Sequence, residues 1–196
     1  MRVLTASVAP THPGYKSLFK PLLFNLDAER AHHLVFDNLR QLQEKKPRIE
    51  LLQQVQARNQ GRAVPRPLLL KIAPDLTDSQ LDDILEIARE TQLSGLVATN
   101  TTVNRADLST DAVYVASLGA GGLSGRPLRA RATEVIRYLH RKSDGGLPII
   151  RSGGIHSAAD AQEKLAAGAS LIQLYTGFIY EGPALVSRIN RSLVPA

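Results

Sequence analysis

Four short apolar runs recur in the second part of the chain, each bounded by glycine, proline or polar residues. They cover residues 68–72, 95–99, 148–151 and 171–174. Segments of helical period follow them, at about residues 77–90, 128–141, 157–168 and 183–193, and the first opens with a Thr-Asp-Ser-Gln capping box. Short apolar runs that alternate with amphipathic helices predict a parallel sheet with helical crossovers. We therefore predict four β-strand and α-helix units.

Two further amphipathic segments, at about residues 15–26 and 28–42, precede a polar, helix-favouring stretch at residues 43–60. The first segment is rich in leucine and phenylalanine and carries Lys16 and Lys20. Such a pair either packs against a protein core or lies in a membrane interface, and the apolar periodicity is the same in both cases. We expect two units: N-terminal amphipathic helices at residues 1–45 and an α/β unit at residues 46–196.

The composition of the chain removes several classes of function. The 196 residues include no cysteine, which excludes disulfides, thiolate metal sites and thiol nucleophiles. No apolar run reaches the roughly 18 residues of a membrane-spanning helix. The net charge is +6, but no recognised nucleic-acid motif accompanies it and only 5% of the residues are aromatic. We predict neither a nucleic-acid partner nor a bound metal ion.

Polar or glycine-rich residues follow each predicted strand, at the end where parallel α/β proteins bind their ligands. They are Lys71 and residues 99–102, 152–154 and 175–177. Gly153 and Gly154 either bring backbone N–H groups close to a phosphate or serve only a tight turn. Lys71 either meets an anion or extends to the surface. Asn100 either binds a planar, carbonyl-rich ligand or belongs to a turn.

Four ordered motifs in the chain match those of one enzyme family. They are Lys-Ile-Ala-Pro-Asp-Leu at 71–76, Ala-Thr-Asn-Thr-Thr at 98–102, Gly-Gly-Leu-Ser-Gly-Arg-Pro-Leu at 121–128 and Ala-Gly-Ala-Ser-Leu-Ile-Gln-Leu-Tyr at 167–175. From about residue 51 to its end, the chain resembles the quinone-dependent (class 2) dihydroorotate dehydrogenases. Residues 15–40 also resemble the N-terminal helical region of that family, which attaches to the membrane and guides the quinone.

The resemblance implies a fold, a cofactor and a reaction. The fold is of the (β/α) TIM-barrel type, here about the C-terminal half-barrel behind an amphipathic helical segment. The reaction is the oxidation of dihydroorotate to orotate with FMN and a quinone, in pyrimidine (UMP) biosynthesis, by a protein peripheral on the cytoplasmic side of the cell inner membrane. The implied FMN contacts are Lys71, Thr99, Gly125, Gly153, Gly154, Tyr175 and Thr176. The implied dihydroorotate contacts are Asn100 and Thr101.

The chain also departs from the family pattern. In the family, a long region between the N-terminal helices and the strand of Lys71 supplies the first half of the barrel. That region holds an Asn-x-Ser-Ser-Pro-Asn motif whose serine is the catalytic base. In this sequence the two segments nearly abut, so we assign no catalytic residue and expect impaired activity. The alternative is a non-catalytic half-barrel that binds FMN or phosphate.

Two smaller expectations concern residue 151 and the open barrel. Arg151 and Ser152 stand where the family usually has Gly-Val before the glycine pair. Arg151 is expected either to crowd the cofactor or to neutralise its phosphate. Four strands cannot close an eight-stranded barrel, and the edges and apolar interior left open predict self-association.

Overall fold

A computed structural model of the protein describes residues 45–193. The two amphipathic segments expected within residues 15–42 lie outside this range. Numbered from its first residue, the described elements run as follows: α1 Lys45–Gln60, β1 Leu69–Ile72, α2 Asp78–Glu90, β2 Gly95–Ala98, α3 Ala112–Ser117, α4 Arg129–Lys142, β3 Ile149–Ser152, α5 Ala158–Ala166, β4 Leu171–Gln173, α6 Thr176–Glu181 and α7 Ala184–Leu193. A single 3-10 turn, Arg126–Leu128, leads into α4.

The four strands form one parallel sheet in the order β1-β2-β3-β4. Leu69 pairs with Gly95, Leu96 with Ile149, and Ile150 with Leu171. Strands that neighbour in sequence are also neighbours in space, and a helix lies between each pair, as in one half of a (β/α) barrel. The predicted four-unit half-barrel is confirmed.

The two faces of the sheet differ in burial, because side chains alternate between faces along a strand. One face packs against α2 and α4 in a core that is almost fully buried. Its members include Ile72, Leu81, Leu96, Ala98, Val135, Ile136, Leu139 and Ile149. The opposite face, here called the inner face, includes Leu69, Lys71, Val97, Ile150, Ser152, Leu171 and Gln173, and Leu171 is 60% exposed. In a closed barrel these residues would line the interior.

The helix ends follow the predicted local signals. At the start of α2, Gln80 N donates to Thr77 Oγ1 (3.3 Å) and Thr77 N donates to Gln80 Oε1 (2.9 Å), so the capping box is confirmed. At the start of α5, Asp160 N donates to Ser157 Oγ at 3.1 Å. Beyond its end, Gly168 has a φ of +104°, which glycine adopts without strain.

Some boundaries differ from those predicted. The stretch expected as loop before Gly125 contains α3, whose first N–H groups are capped by the carboxylate of Asp111. A second unpredicted helix, α6, begins immediately after the loop that ends β4. Thr99 lies just outside β2, and Leu174 just outside β4. Among residues 45–193, none of the helices has the length and apolar character to cross a membrane.

Candidate functional site

All nine residues expected to bind cofactor or substrate line a single cavity of about 250 Å³ at the carboxyl ends of the strands. They are Lys71, Thr99, Asn100, Thr101, Gly125, Gly153, Gly154, Tyr175 and Thr176. They come from five stretches that are far apart in sequence: residue 71, residues 99–101, residue 125, residues 153–154 and residues 175–176. The parallel sheet brings these stretches together because all its strands end at the same edge.

The loop after β2 is tied to the strands on both sides of it. Thr99 N donates to Ser152 O at 2.9 Å, and Asn100 N donates to Ile72 O at 2.8 Å. The peptide bond between Ala98 and Thr99 is cis. Thr99 is 2% exposed, and its hydroxyl meets no hydrogen-bond partner among the described residues. A buried hydroxyl that borders a cavity and lacks a partner is available to a bound ligand.

The glycine-rich stretch that follows folds back over this loop. Thr102 and Leu123 form an antiparallel bridge with N–H···O distances of 3.0 and 2.8 Å. The carboxylate of Asp75 accepts hydrogen bonds from the Thr102 hydroxyl and from Val103 N. Arg105 donates to the carbonyls of residues 115, 119 and 121. These bonds fix the stretch beside the cavity.

Close packing requires glycine at two positions beside the cavity. A Cβ on Gly122 would lie 2.1 Å from Thr101 Oγ1, and one on Gly154 would lie 2.5 Å from Arg129 Cα. Gly154 also has a φ of +70°, and Gly125 has a φ of +85°. Thr176 Oγ1 donates to Ser124 Oγ at 3.0 Å, which joins the start of α6 to the glycine-rich stretch. Three loops thus present closely packed backbone at one end of the cavity.

Lys71 lies on the inner face near the end of β1, and its side chain is exposed. Of the two alternatives for Lys71, a side chain that extends to the surface agrees with this exposure, and contact with an anion stays a prediction. Lys71 also borders the cavity, beside the loop of Thr99 and Asn100.

Arg151 lies on the opposite side of the sheet from the cavity. It pairs with Ala98 and Ile172, and its side chain is fully buried towards the helices rather than in the cavity lining. Its Nη2 donates to Gly153 O at 2.6 Å. The expectation that Arg151 crowds the cofactor is wrong. Side chains alternate along β3, so Ser152 faces the cavity and Arg151 faces away.

Arg151 belongs to a cluster of charged side chains between β3, α4 and α5, here called the charge cluster. Its members are Arg129, Arg151, Asp160, Glu163 and Lys164. Arg129 pairs with Asp160 at 2.7 Å and with Glu163 at 2.5 Å. Lys164 is fully buried and donates to Glu163 Oε1 at 2.8 Å and to Arg129 O at 2.9 Å.

The protonation equilibria of the charge cluster follow from these contacts. Hydrogen bonds from Lys164, Thr133 and Arg129 lower the pKa of Glu163 to about 2. Burial lowers the pKa of Lys164, and the hydrogen bond to Glu163 acts against this effect. Burial also lowers the pKa of Arg151 to about 9, so its guanidinium stays cationic at neutral pH.

The cavity also contains two polar residues that were not among the expected site residues, Ser124 and Gln173. Ser152, from the predicted stretch 152–154, lines it as well. Alternation along the strands would have found Gln173, since it shares the face of Lys71. His156, beside the cavity, is 9% exposed, and its Nε2 meets no partner among residues 45–193. Within the same range, no group of three or more His, Asp or Glu side chains is placed to hold a metal ion.

Comparison with known proteins agrees with the motifs in this cavity. Residues 36–195 match the sequence model of the family described as dihydroorotate dehydrogenase. The chain belongs to the dihydroorotate dehydrogenase family. The dihydroorotate dehydrogenase (quinone) of Christiangramia forsetii is 56% identical over 157 residues, which cover 80% of this chain and 45% of that protein. The protein of the same name from a Synechococcus species is 52% identical over 163 residues, 81% of this chain and 42% of its own length.

A solved structure supports the same assignment. DHODH from Eimeria tenella in complex with ferulenol matches with a TM-score of 0.70 and 35% identity, over 79% of this chain and 45% of that one. The resemblance to the quinone-dependent class is confirmed by these dihydroorotate dehydrogenases. The chain spans less than half the length of the curated relatives it matches. The family is flavin-dependent.

Proposed function

We propose that the protein binds FMN in this cavity and derives from a quinone-linked dihydroorotate dehydrogenase of pyrimidine biosynthesis, with impaired turnover in this chain. The observation that carries the proposal is the convergence of the nine expected site residues, from five separate stretches, on one cavity. A turn or core role for each motif would not require them to meet.

The residues of the cavity fit a phosphorylated flavin. Gly125 and Gly154 have positive φ values, and the Arg129 backbone leaves no room for a side chain on Gly154, so backbone can approach an anion closely. These glycines, with Gly153, Tyr175 and Thr176, would hold the phosphate end. The hydroxyl of Thr99, buried and without a partner among the described residues, would donate to a ring oxygen.

In the proposed site, charged and hydrogen-bonding groups surround the flavin ring. When bound, FMN would supply hydride acceptance from dihydroorotate and return of the electrons to a quinone. Lys71 would put a positive charge beside the pyrimidine edge of the ring, where it stabilises negative charge. Asn100 and Thr101, both exposed in the cavity, would orient dihydroorotate through their amide and hydroxyl groups.

We assign no side chain of this chain to the removal of the substrate proton. General-base catalysis contributes about 10²- to 10⁴-fold to a rate, so we expect turnover to fall by at least about a hundredfold below that of a full-length relative. The alternative is a non-catalytic half-barrel that binds FMN or phosphate. Both versions require the cavity to bind FMN or phosphate.

FMN titration with a parallel activity assay tests the proposal. We expect purified protein to shift its melting temperature with FMN and to quench flavin fluorescence. With dihydroorotate and a soluble quinone it should turn over slowly or not at all. Failure to bind FMN would refute the cofactor assignment. A rate equal to that of the full-length Christiangramia forsetii relative, measured alongside, would refute the impairment.

The proposal includes self-association through the inner face, with a second copy of this chain as the partner. Val97, Ile150 and Leu171 give this face an apolar surface, and β1 and β4 are its outer strands. A two-fold axis along the barrel would place β4 of each copy beside β1 of the other and close eight strands.

Light scattering after size exclusion tests this partner. The chain mass is 21.3 kDa, and we expect a particle of twice that mass. Leu171→Lys should yield monomers, whereas Val113→Lys, at a 78% exposed position on α3, should not change the mass. A monomeric unmodified protein at micromolar concentration would contradict the proposal, and so would a dimer unaffected by the Leu171 change.

The proposal also includes contacts of the protein with a quinone and with the cytoplasmic side of the inner membrane. They rest on the amphipathic pattern of residues 15–42 and on the quinone named for the relatives. We expect the chain to bind vesicles that contain anionic lipid, and the double variant Leu18→Glu, Leu22→Glu to bind them more weakly. Equal partitioning of the two proteins would remove the membrane part of the proposal.

A further inference from the structure

The guanidinium of Arg151 is buried directly behind the glycine turn of the cavity. The residue is 0% exposed, and its hydrogen bond to Gly153 O measures 2.6 Å. Its Nε and Nη1 meet no acceptor among the residues that the structure describes. Burying an incompletely paired cation is unfavourable for folding.

The hydrogen bond from Arg151 sets the direction of one peptide group in the turn. A trans peptide is planar, and its C=O and N–H point in opposite directions. The Gly153 carbonyl points towards the guanidinium, so the Gly154 N–H of the same peptide group points the other way. Both glycines line the cavity on that other side. An N–H group fixed in this way can donate to a phosphate.

The charge cluster also carries one more cation than it has carboxylates. Arg129, Arg151 and Lys164 are positive, whereas Asp160 and Glu163 are negative. Arg129 and Lys164 contact the carboxylates directly, but the hydrogen bond of Arg151 goes to a carbonyl. The excess positive charge therefore lies on Arg151, where burial limits screening by water and salt.

We propose that Arg151 is a positioning residue for the phosphate end of the cavity: it orients the Gly154 N–H and adds a buried positive charge behind it. The cavity then prefers a phosphorylated flavin over its unphosphorylated counterpart. This inference rests on the proposed FMN site. It differs from direct neutralisation, because the guanidinium acts across the sheet and does not line the cavity.

Binding of FMN and of riboflavin, measured by fluorescence quenching, tests the inference with Arg151→Met. The substitution removes the charge and the donor but keeps a long side chain. We expect the Kd for FMN to rise about tenfold, since one unit charge acts on the phosphate through a partly screened environment. The Kd for riboflavin should stay within about twofold, and Arg151→Lys should recover part of the lost FMN affinity.

The matched control is Arg137→Met, which removes the same charge from an exposed position on α4. It should leave both Kd values unchanged. Equal weakening of FMN and riboflavin in Arg151→Met would show a merely structural role and overturn the inference, as would no change in either. Circular dichroism of the variant should match that of the unmodified protein.

Thermal shifts with inorganic phosphate separate this inference from the proposed function. If the unmodified chain binds neither flavin, the proposed function fails. A phosphate-induced shift that disappears in Arg151→Met and persists in Arg137→Met would still support the role of Arg151. Phosphate-induced shifts of equal size in the two variants would overturn the role of Arg151. If the unmodified chain binds neither flavin and also shows no phosphate-induced shift, the role of Arg151 is overturned as well.

Discussion

The substitution Glu163→Gln tests whether the charge cluster stabilises the fold. The carboxylate of Glu163 accepts hydrogen bonds from Arg129 (2.9 Å from Nε), Thr133 (2.7 Å) and Lys164 (2.8 Å). The amide would keep the shape of the side chain but remove its charge. Lys164, which is fully buried, would then lose its anionic partner.

The pKa of Glu163 gives the scale of the effect. Its value falls from 4.5 to about 2. At about 1.36 kcal/mol per pKa unit, the difference corresponds to roughly 3 kcal/mol of unfolding free energy at neutral pH. The side chain is 32% exposed, so solvent screening reduces this figure. We expect Glu163→Gln to lower the unfolding free energy by about 2 kcal/mol at pH 7.

The same carboxylate predicts a dependence of stability on pH. The folded pKa of Glu163 is depressed below its unfolded value, so its contribution is fully present above about pH 5 and is lost as the pH falls towards 2. More than half of that contribution should be gone at about pH 3. The variant should lack this component, and the two stability curves should therefore approach each other in acid.

Urea denaturation followed by circular dichroism measures both effects. The matched control is Glu134→Gln. It removes a carboxylate from an exposed ion pair in which both partners, Arg131 and Glu134, lie on α4. Its effect should stay below about 0.5 kcal/mol. A Glu163→Gln protein within 0.5 kcal/mol of the unmodified chain at pH 7 would refute the reasoning about the charge cluster. Parallel stability curves of the two proteins from pH 7 to pH 3 would also refute it.

Three further predictions follow from neighbouring contacts. The double variant Glu163→Gln, Lys164→Met should lose roughly 1 kcal/mol less unfolding free energy than the two single variants lose together, because the second change removes the unpaired cation. Additive losses in urea denaturation would contradict the pairing. Thr99→Val should weaken FMN binding by about three- to tenfold with little change in melting temperature, and unchanged affinity would show that the buried hydroxyl does not meet the flavin. Thr77→Ala should lower the unfolding free energy by about 1 kcal/mol, because it breaks the capping box of α2, whereas Thr110→Ala, at an exposed loop position, should not.

The strands and most helices could be predicted because their local signals are strong. Each strand is a short apolar run between turn residues, and α2 opens with a capping box that needs only four residues. The helices α3 and α6 have six residues each, which is too short for an apolar stripe to show a helical period. Local caps and packing determine whether such short helices form, and hydrophobic periodicity does not detect them.

The positions of the candidate site residues could be predicted from the sequence, but the directions of their side chains could not. Parallel strands end at one edge, and this rule alone selected the loops of Lys71, Thr99, Gly154 and Tyr175. The direction of a side chain depends on which face of the sheet it occupies. Arg151 and Ser152 are adjacent in sequence, yet only Ser152 lines the cavity. Their faces become clear only when the register with β2 and β4 is known.

The charge cluster joins stability to the chemistry of the site. Glu163 holds Arg129, and the Arg129 backbone packs so closely on Gly154 that no Cβ fits between them. Arg151 holds the carbonyl of Gly153 from the same side. The glycine turn is thus held from behind by α4 and β3, and its opposite side is left to a ligand. Conversely, a phosphate bound at the turn would offset the excess positive charge behind it. Ligand binding should therefore stabilise the fold more in the unmodified chain than in Arg151→Met.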